Sequence, residues 1–393
     1  MTGAIHSERP SALILAAGRS SRMGCFKPLL PLGEICVLER VINCFRAVGV
    51  DDICAVVGHR AEDLRPKLRA KELTIAENPR YRDGMFASIQ AGLTRLAPCN
   101  HGVFILPVDI PLVRPATLVL LMKAFSVRPT ADTSIHPVFD GRRGHPPLIP
   151  AALSPPILHH SGAGGLRAIL RAPTAMAMEV QVPDRFILKD MDHPDRYAAM
   201  QQALTGHDVP NEAECEVLLG ATWTVAESVR RHSRMVATAA GAIAAALRQR
   251  GIDLDLGLVR AGALLHDIAK GAEGHAQAGA ILLRQLHFVR VAEIVARHDD
   301  ITLTNGETVG EAEVVFIADK HIINTQLIPM ETRFALALER FGEISSVRRN
   351  IIRRQKTARA IRDIIEARIQ APLEGLITVS YTHLTLPTTI PSC

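Results

Sequence analysis

The stretch "SALILAAG" (11–18) is apolar at every position from Ala12 to Ala17 and stops at a glycine. A strand with one face in water alternates polar and apolar residues. An unalternating run belongs to a strand covered on both faces. "DDICAVVGH", "LTIAENP" and "HGVFILPVD" repeat the pattern. Between them, "EICVLERVINCFRAVG", "AEDLRPKLRA" and "MFASIQAGLTRL" carry the apolar period of helices. This alternation predicts an α/β unit, a three-layer doubly wound sheet whose ligands sit beyond the carboxyl ends of its strands. Gly18, His59, Asn78 and Asp109 fall at such ends.

The alternation stops near residue 203. "LTGHDVPNEAE" is polar, and residues 204–215 read as a linker. From 216 to 372 the apolar runs take helical spacing, as in "WTVAESVRRHSRMVATAAGAIAAALRQR" and "DLGLVRAGALLHDIAKG", which predicts an all-α domain. A chain of 393 residues is long enough for two cores. With aromatics at 4%, alanine and leucine must fill them. "VSYTHLTLPTTIPSC" (379–393) is threonine-rich and broken by proline, and it resembles translated sequencing-adapter DNA. It is set aside as a non-native tail, and the native C-terminus is expected elsewhere.

The net charge of +5 is scattered, and only "RRNIIRRQKTARAIR" (348–362) is dense, as one exposed helix face. Nucleic acid is therefore not expected as a partner. No run is long enough to span a membrane, and "MTGAIHSERP" lacks the apolar core of a signal peptide. The seven cysteines show no paired spacing, so reduced thiols and a cytoplasmic location are expected.

After Gly18 the loop "RSSRMGCFKPLL" brings Arg22 and Lys27. Backbone N–H groups at a glycine turn, a guanidinium fork and an ammonium together suit phosphate oxygens. Asp109, ending the run "GVFILPVD", is placed to hold Mg²⁺ beside them. The spacing is neither GxxxxGK[ST] nor GxGxxG. "LILAAGRSSRMGCFKPLLPLG" resembles the signature LxAGxSxRMGxxKxLLPLxG of MobA-like nucleotidyltransferases, closest to the branch containing molybdenum cofactor cytidylyltransferase. "ENPRYRDGMFASIQAGL" (77–93), "LPVDIPLV" (106–113) and "GRRGHPPLIP" (141–150) resemble that branch's nucleoside-binding, metal-binding and second-substrate segments. The resemblance implies backbone contacts from Ala16, Ala17 and Gly18 to the base and phosphates. It implies a triphosphate held by Arg22 and Lys27, Mg²⁺ on Asp109, and Ser88 near the nucleoside. "ILKDMDHPDRY" (187–197) resembles the closing segment, with Asp190 or Asp192 completing the metal shell. "AAG" rather than "AGG" accompanies cytidylyl more often than guanylyl transfer in the family.

In the helical half, "LLHDIAKG" is expected to place His266 and Asp267 side by side on a helix, and His232, His275, His298 and Asp319 also adjoin apolar helical patterns. Aspartate is rarely buried unless paired or metal-bound, and imidazole with carboxylate suits Fe, Mn, Zn or Ni. The order H…HD…D resembles an HD-domain phosphohydrolase over about 224–330. That resemblance implies a metal core of His232, His266, Asp267 and Asp319, with His275 and His298 for a second metal. Lys270 matches the family's phosphate-contacting lysine. Asp299 stands where many two-metal members have a second adjacent histidine.

The expectation is a transferase passing CMP from CTP, or another NTP's monophosphate, to molybdopterin, fused to a metal-dependent phosphohydrolase, with a molybdoenzyme as a client. Two alternatives stand beside it. One has a sugar or alcohol phosphate as acceptor and a regulatory HD domain. The other is a non-enzymatic cofactor carrier.

Overall fold

The computed structural model describes residues 9–20, 22–96, 101–172, 175–303 and 309–385, with side chains to Tyr381. Cys99, Cys393 and most of the expected tail lie outside them. The chain divides between His207 and Asp208 into two compact units.

The first unit is built on an eight-stranded sheet. Its strands are β1 (Ser11–Leu15), β2 (Ile53–Val57), β3 (Thr74–Glu77), β4 (Val103–Pro107), β5 (Ser134–Phe139), β6 (Arg142–Arg143), β7 (Leu148–Ile149) and β8 (Ala177–Gln181). They run in the order β8-β5-β7-β4-β1-β2-β3, with β6 on β5. Strands β1 to β4 are parallel, as their unalternating runs require. The helices are α1 (Val37–Ala47), α2 (Ala61–Ala70), α3 (Met85–Arg95), α4 (Pro115–Ser126), α5 (Ser154–His159), α6 (Gly165–Leu170) and α7 (Pro194–Ala203). Both faces of β1 are buried: Ala12 and Ile14 pack with Phe45 and Leu118, while Leu13 and Leu15 pack with Ile89 and Leu93. β7 departs from the all-parallel expectation. It lies antiparallel between β4 and β5 and has two residues, too few to leave a pattern in the sequence.

The chain winds outward from β1 in both directions, to β2 and β3 on one side and β4 on the other. That reversal opens a crevice at the carboxyl ends of β1 and β4. Gly144, between β6 and β7, packs closely against Ile187. A Cβ there would lie 2.5 Å from the Ile187 carbonyl oxygen. His145 N donates to the same oxygen at 3.0 Å. Gly144→Ala is expected to push the 141–150 segment off Ile187 and cost about 2 kcal/mol, as overpacking does. Chemical denaturation measures this, and an unchanged midpoint would contradict it.

The second unit is helical: α8 (Glu212–Val217), α9 (Glu227–Gln249), α10 (Leu256–Leu265), α11 (His275–Gln285), α12 (Val289–Arg297), α13 (Glu311–Lys320), α14 (Met330–Phe341), α15 (Ser345–Ile369) and α16 (Leu373–Thr385). One small hairpin, β9 (Ile322–Ile323) with β10 (Gln326–Leu327), interrupts it. On α9, Val236, Ala240, Ile243 and Leu247 make a buried stripe at helical spacing. Small alanines on that stripe let α10 and α13 pack close. The segment set aside as a tail begins within α16, where the Tyr381 hydroxyl donates to the Met235 carbonyl. Among the described residues, no helix is long and apolar enough to cross a membrane. The described cysteines Cys25, Cys36, Cys44 and Cys54 are free thiols.

Candidate functional site

At the end of β1, Ala16 and Ala17 are buried. Gly18 leaves the space of a side chain open, with no protein atom within 4 Å of a Cβ. The backbone is fixed by neighbouring strands: Ala16 N donates to Val56 O and His59 N to Ala17 O. Ala16, Ala17, Gly18, Lys27, Ser88 and Asp109 line one cavity of about 240 Å³. Gly18 therefore borders empty space where a ligand can meet main-chain groups.

Lys27 enters from a short 3₁₀ turn and is buried. Its ammonium lies 3.2 Å from Asp109 Oδ2 and 2.5 Å from Asp192 Oδ1. Arg22 reaches Asp192 Oδ2 at 2.6 Å from an exposed position. Burial opposes ionisation of Asp192, but Lys27 and Arg22 outweigh it and hold its carboxyl below the usual range. The closing segment is tied in by Met191 N donating to Asp109 O. Of the two aspartates expected there, Asp192 joins the cluster and Asp190 pairs with Arg196 instead. Two carboxylate oxygens that converge on one ammonium also suit a hard divalent cation.

Sequence reasoning did not foresee how Ser88 is set. Asn78, buried at 2%, donates from Nδ2 to Ser88 Oγ at 3.0 Å. The hydroxyl proton of Ser88 is thereby left to point elsewhere. Tyr81 and Met85 also line the cavity without having been expected. His59 stays outside that lining, with its ring 6.3 Å from Phe26 and 6.1 Å from Tyr81.

In the helical unit the six expected donors gather at one place, although one expectation about them changes. His266 and Asp267 do not lie on a helix: α10 ends at Leu265, and they form the turn after it. His266 Nδ1 lies 2.7 Å from the Ala263 carbonyl, and His298 Nδ1 lies 2.7 Å from the Val295 carbonyl. A carbonyl only accepts, so each Nδ1 carries the proton. Each imidazole closes the last turn of its own helix and turns Nε2 inward. Helix-end carbonyls need partners, and these rings supply them. His232 Nδ1 lies 2.9 Å from the carbonyl of Asn324, in the turn between β9 and β10, and so carries its proton there as well.

The Nε2 atoms converge on two carboxylates. Asp319 Oδ1 lies 3.1 Å from His232 and 3.9 Å from His266. Asp267 Oδ1 lies 3.3 Å from His275 and 3.4 Å from His298, and its Oδ2 lies 3.4 Å from His266. Two overlapping triads result, His232–His266–Asp319 and His266–Asp267–His298, each compact enough for one ion. Among the described residues, His266 Nε2 is buried without a hydrogen-bond partner, as an atom reserved for a metal would be. Lys270 contacts Asp267 at 3.1 Å and is half exposed. Asp299 faces away and pairs with Arg354 at 3.2 Å, so it adds nothing to the centre.

Lys320 and Arg333 were not anticipated. Lys320 Nζ lies 2.9 Å and an Arg333 nitrogen 3.3 Å from Asp319 Oδ2, which leaves Oδ1 to the histidines. Burial opposes ionisation of Asp319, but Arg333, Lys320 and His232 outweigh it and hold the carboxyl well below its ordinary range. Such outer partners orient ligands. Arg333→Gln is expected to weaken metal affinity about 10–100-fold without removing a ligand atom. Titration of chelator-treated protein checks this, and an unchanged affinity would refute the role.

The sequence matches the MobA-like NTP transferase domain family over residues 12–178 and the HD domain family over 229–322. The molybdenum cofactor cytidylyltransferase of Escherichia coli K12 is 27% identical over 199 residues, which span 49% of this chain and 96% of that protein. The bifunctional protein GlmU of Cellvibrio japonicus is 34% identical over 108 residues, 27% of this chain and 23% of that protein. The chain thus spans about a quarter of that GlmU protein's length. The crystal structure of Rv0371c from Mycobacterium tuberculosis H37Rv overlaps 50% of this chain and 100% of its own at a TM-score of 0.43 and 25% identity.

Proposed function

We propose that the chain, which matches the MobA-like NTP transferase domain family and the HD domain family, uses its first unit to transfer a nucleoside monophosphate from an NTP to a phosphate-bearing acceptor. The observation that carries this reading is the convergence of Lys27, Asp109 and Asp192 at the crevice after β1 and β4. Asp109 and Asp192 would hold Mg²⁺, which neutralises charge on the reacting phosphates when bound. Main-chain groups from Ala16 to Gly18 receive the nucleotide, and Ser88, set by Asn78, orients the nucleoside. Lys27 and Arg22 face the triphosphate. An acceptor phosphate oxygen attacks the α-phosphorus, the α–β anhydride bond breaks, and pyrophosphate leaves. No covalent enzyme intermediate is required, because positioning and fixed charge supply the rate.

CTP is the proposed donor, on the "AAG" turn. For the acceptor, the comparisons lean away from molybdopterin. GlmU proteins recur at 28–35% identity, against 27% for the molybdenum cofactor enzyme. A sugar or alcohol phosphate is therefore the broader reading to test, with molybdopterin and its molybdoenzyme client as the competitor. The second unit is proposed to be a phosphohydrolase on Fe, Mn, Zn or Ni held by its histidine and aspartate triads. A reducing, cytoplasmic setting is part of the proposal and accords with the free thiols.

A panel of CTP, GTP, ATP and UTP against molybdopterin, sugar phosphates and alcohol phosphates, read by pyrophosphate release, tests this. Release with CTP and a sugar or alcohol phosphate is the expected result. Release with molybdopterin alone would restore the narrower acceptor. No release with any pair would leave the carrier reading.

A further inference from the structure

The donor cluster of the helical unit opens into a cavity of about 370 Å³, and one wall of that cavity mixes large apolar side chains with arginines. His232, Asp267 and Lys270 line the near side. The far side is one face of α14, where Arg333, Leu336, Ala337, Arg340 and Phe341 recur at the spacing that stacks helical side chains into a stripe. This helix lies beyond the residues that match the HD family.

The two ends of the stripe differ in what they have left to offer. Arg333 is committed to Asp319 and to the Asp319 and Ile322 carbonyls. Arg340 has no carboxylate partner among the described residues, and its guanidinium lies 5.1 Å from the Phe341 ring centroid. Leu336 and Phe341 are 48% and 49% exposed. Large apolar side chains beside a polar centre gain by covering a ligand's apolar surface. A guanidinium beside a ring adds a platform for a planar, electron-rich group.

We propose that this cavity binds phosphomonoesters whose ester group is planar and apolar, with the phosphate toward Lys270 and the planar group against Leu336, Arg340 and Phe341. Inorganic pyrophosphate, the by-product of the first unit's proposed reaction, is expected to be the poorer ligand, since it has no apolar surface to set against Leu336, Ala337 and Phe341. This inference rests on the reading of the helical unit as a site for phosphoesters.

The test uses the full metal-loaded chain with 1-naphthyl phosphate, methyl phosphate and pyrophosphate. Binding is read by calorimetry and turnover by phosphate release. 1-Naphthyl phosphate is expected to bind at least about tenfold more tightly than methyl phosphate, the scale of one buried ring. In Phe341→Ala and, separately, Leu336→Ser, that preference is expected to shrink to less than about threefold. Both residues are half exposed, so the variants are expected to fold. Equal affinities in the wild type, or a preference that survives both variants, would overturn the proposal. Preferential binding without phosphate release would sustain it and sink the phosphohydrolase reading. Release without preference would do the reverse.

Discussion

Lys27→Ala is expected to lower nucleotidyl transfer about 10²–10³-fold, the usual loss when a preorganised charge at the reacting centre is removed. The ammonium is buried, and no other cation is as close to both Asp109 and Asp192 among the described residues. Removing it takes a fixed positive charge from where negative charge gathers on the breaking anhydride. It also leaves two carboxylates facing one another across a partly dry site, which weakens triphosphate binding further. Lys27→Arg should restore little, because a planar fork does not fit a point between two carboxylates. Arg22→Ala should cost less, since Arg22 is largely exposed and screened by solvent. Pyrophosphate release at saturating NTP measures all three, with circular dichroism confirming that each variant is folded. Turnover in Lys27→Ala within about twofold of the wild type would remove Lys27 from the reaction.

That site was legible because its pieces sit on strands with a strong signal. The runs before Gly18 and Asp109 are buried on both faces, so the sequence shows where they stop, and the candidate site residues stand at the stops. What followed was harder to read. The β8 segment "AMEVQ" lies at the sheet edge, half exposed, and its short mixed pattern favours no element. Separating Asp190 from Asp192 needed Arg196, in the first turn of α7, which pairs with Asp190. In the helical unit the ligand types were readable but the support was not. The apolar run "AGALL" predicts a helix continuing through His266. The helix ends because the His266 ring takes over a carbonyl of its last turn. Arg333 stands fourteen residues after Asp319, past a hairpin of two-residue strands that leaves no sequence pattern. Only folding brings it onto the carboxylate.

Asp267→Ala is expected to strip the helical unit of its metal while leaving the unit folded. Asp267 approaches three imidazoles, His266, His275 and His298, and belongs to one of the two donor triads. Its removal deletes the carboxylate of that triad and the anion that three imidazoles face, whereas losing a single histidine would cost one neutral ligand. The fold does not depend on it. The core is carried by apolar helix faces such as Val236, Ile243, Leu265 and Phe316, all fully buried, so the domain is not of the small zinc-module kind that unfolds without its ion. Phosphoester hydrolysis should fall by on the order of 10³-fold or more, since activation of water at neutral pH is lost with the ion. Nucleotidyl transfer should persist, because the first unit has its own core and its own cluster of charges. Elemental analysis of the full-length wild type and variant, paired with both activity assays and helicity, decides the matter. Equal metal content in the two proteins would dismiss Asp267 as a ligand. Collapse of helicity in Asp267→Ala would show that the carboxylate anchors the fold instead.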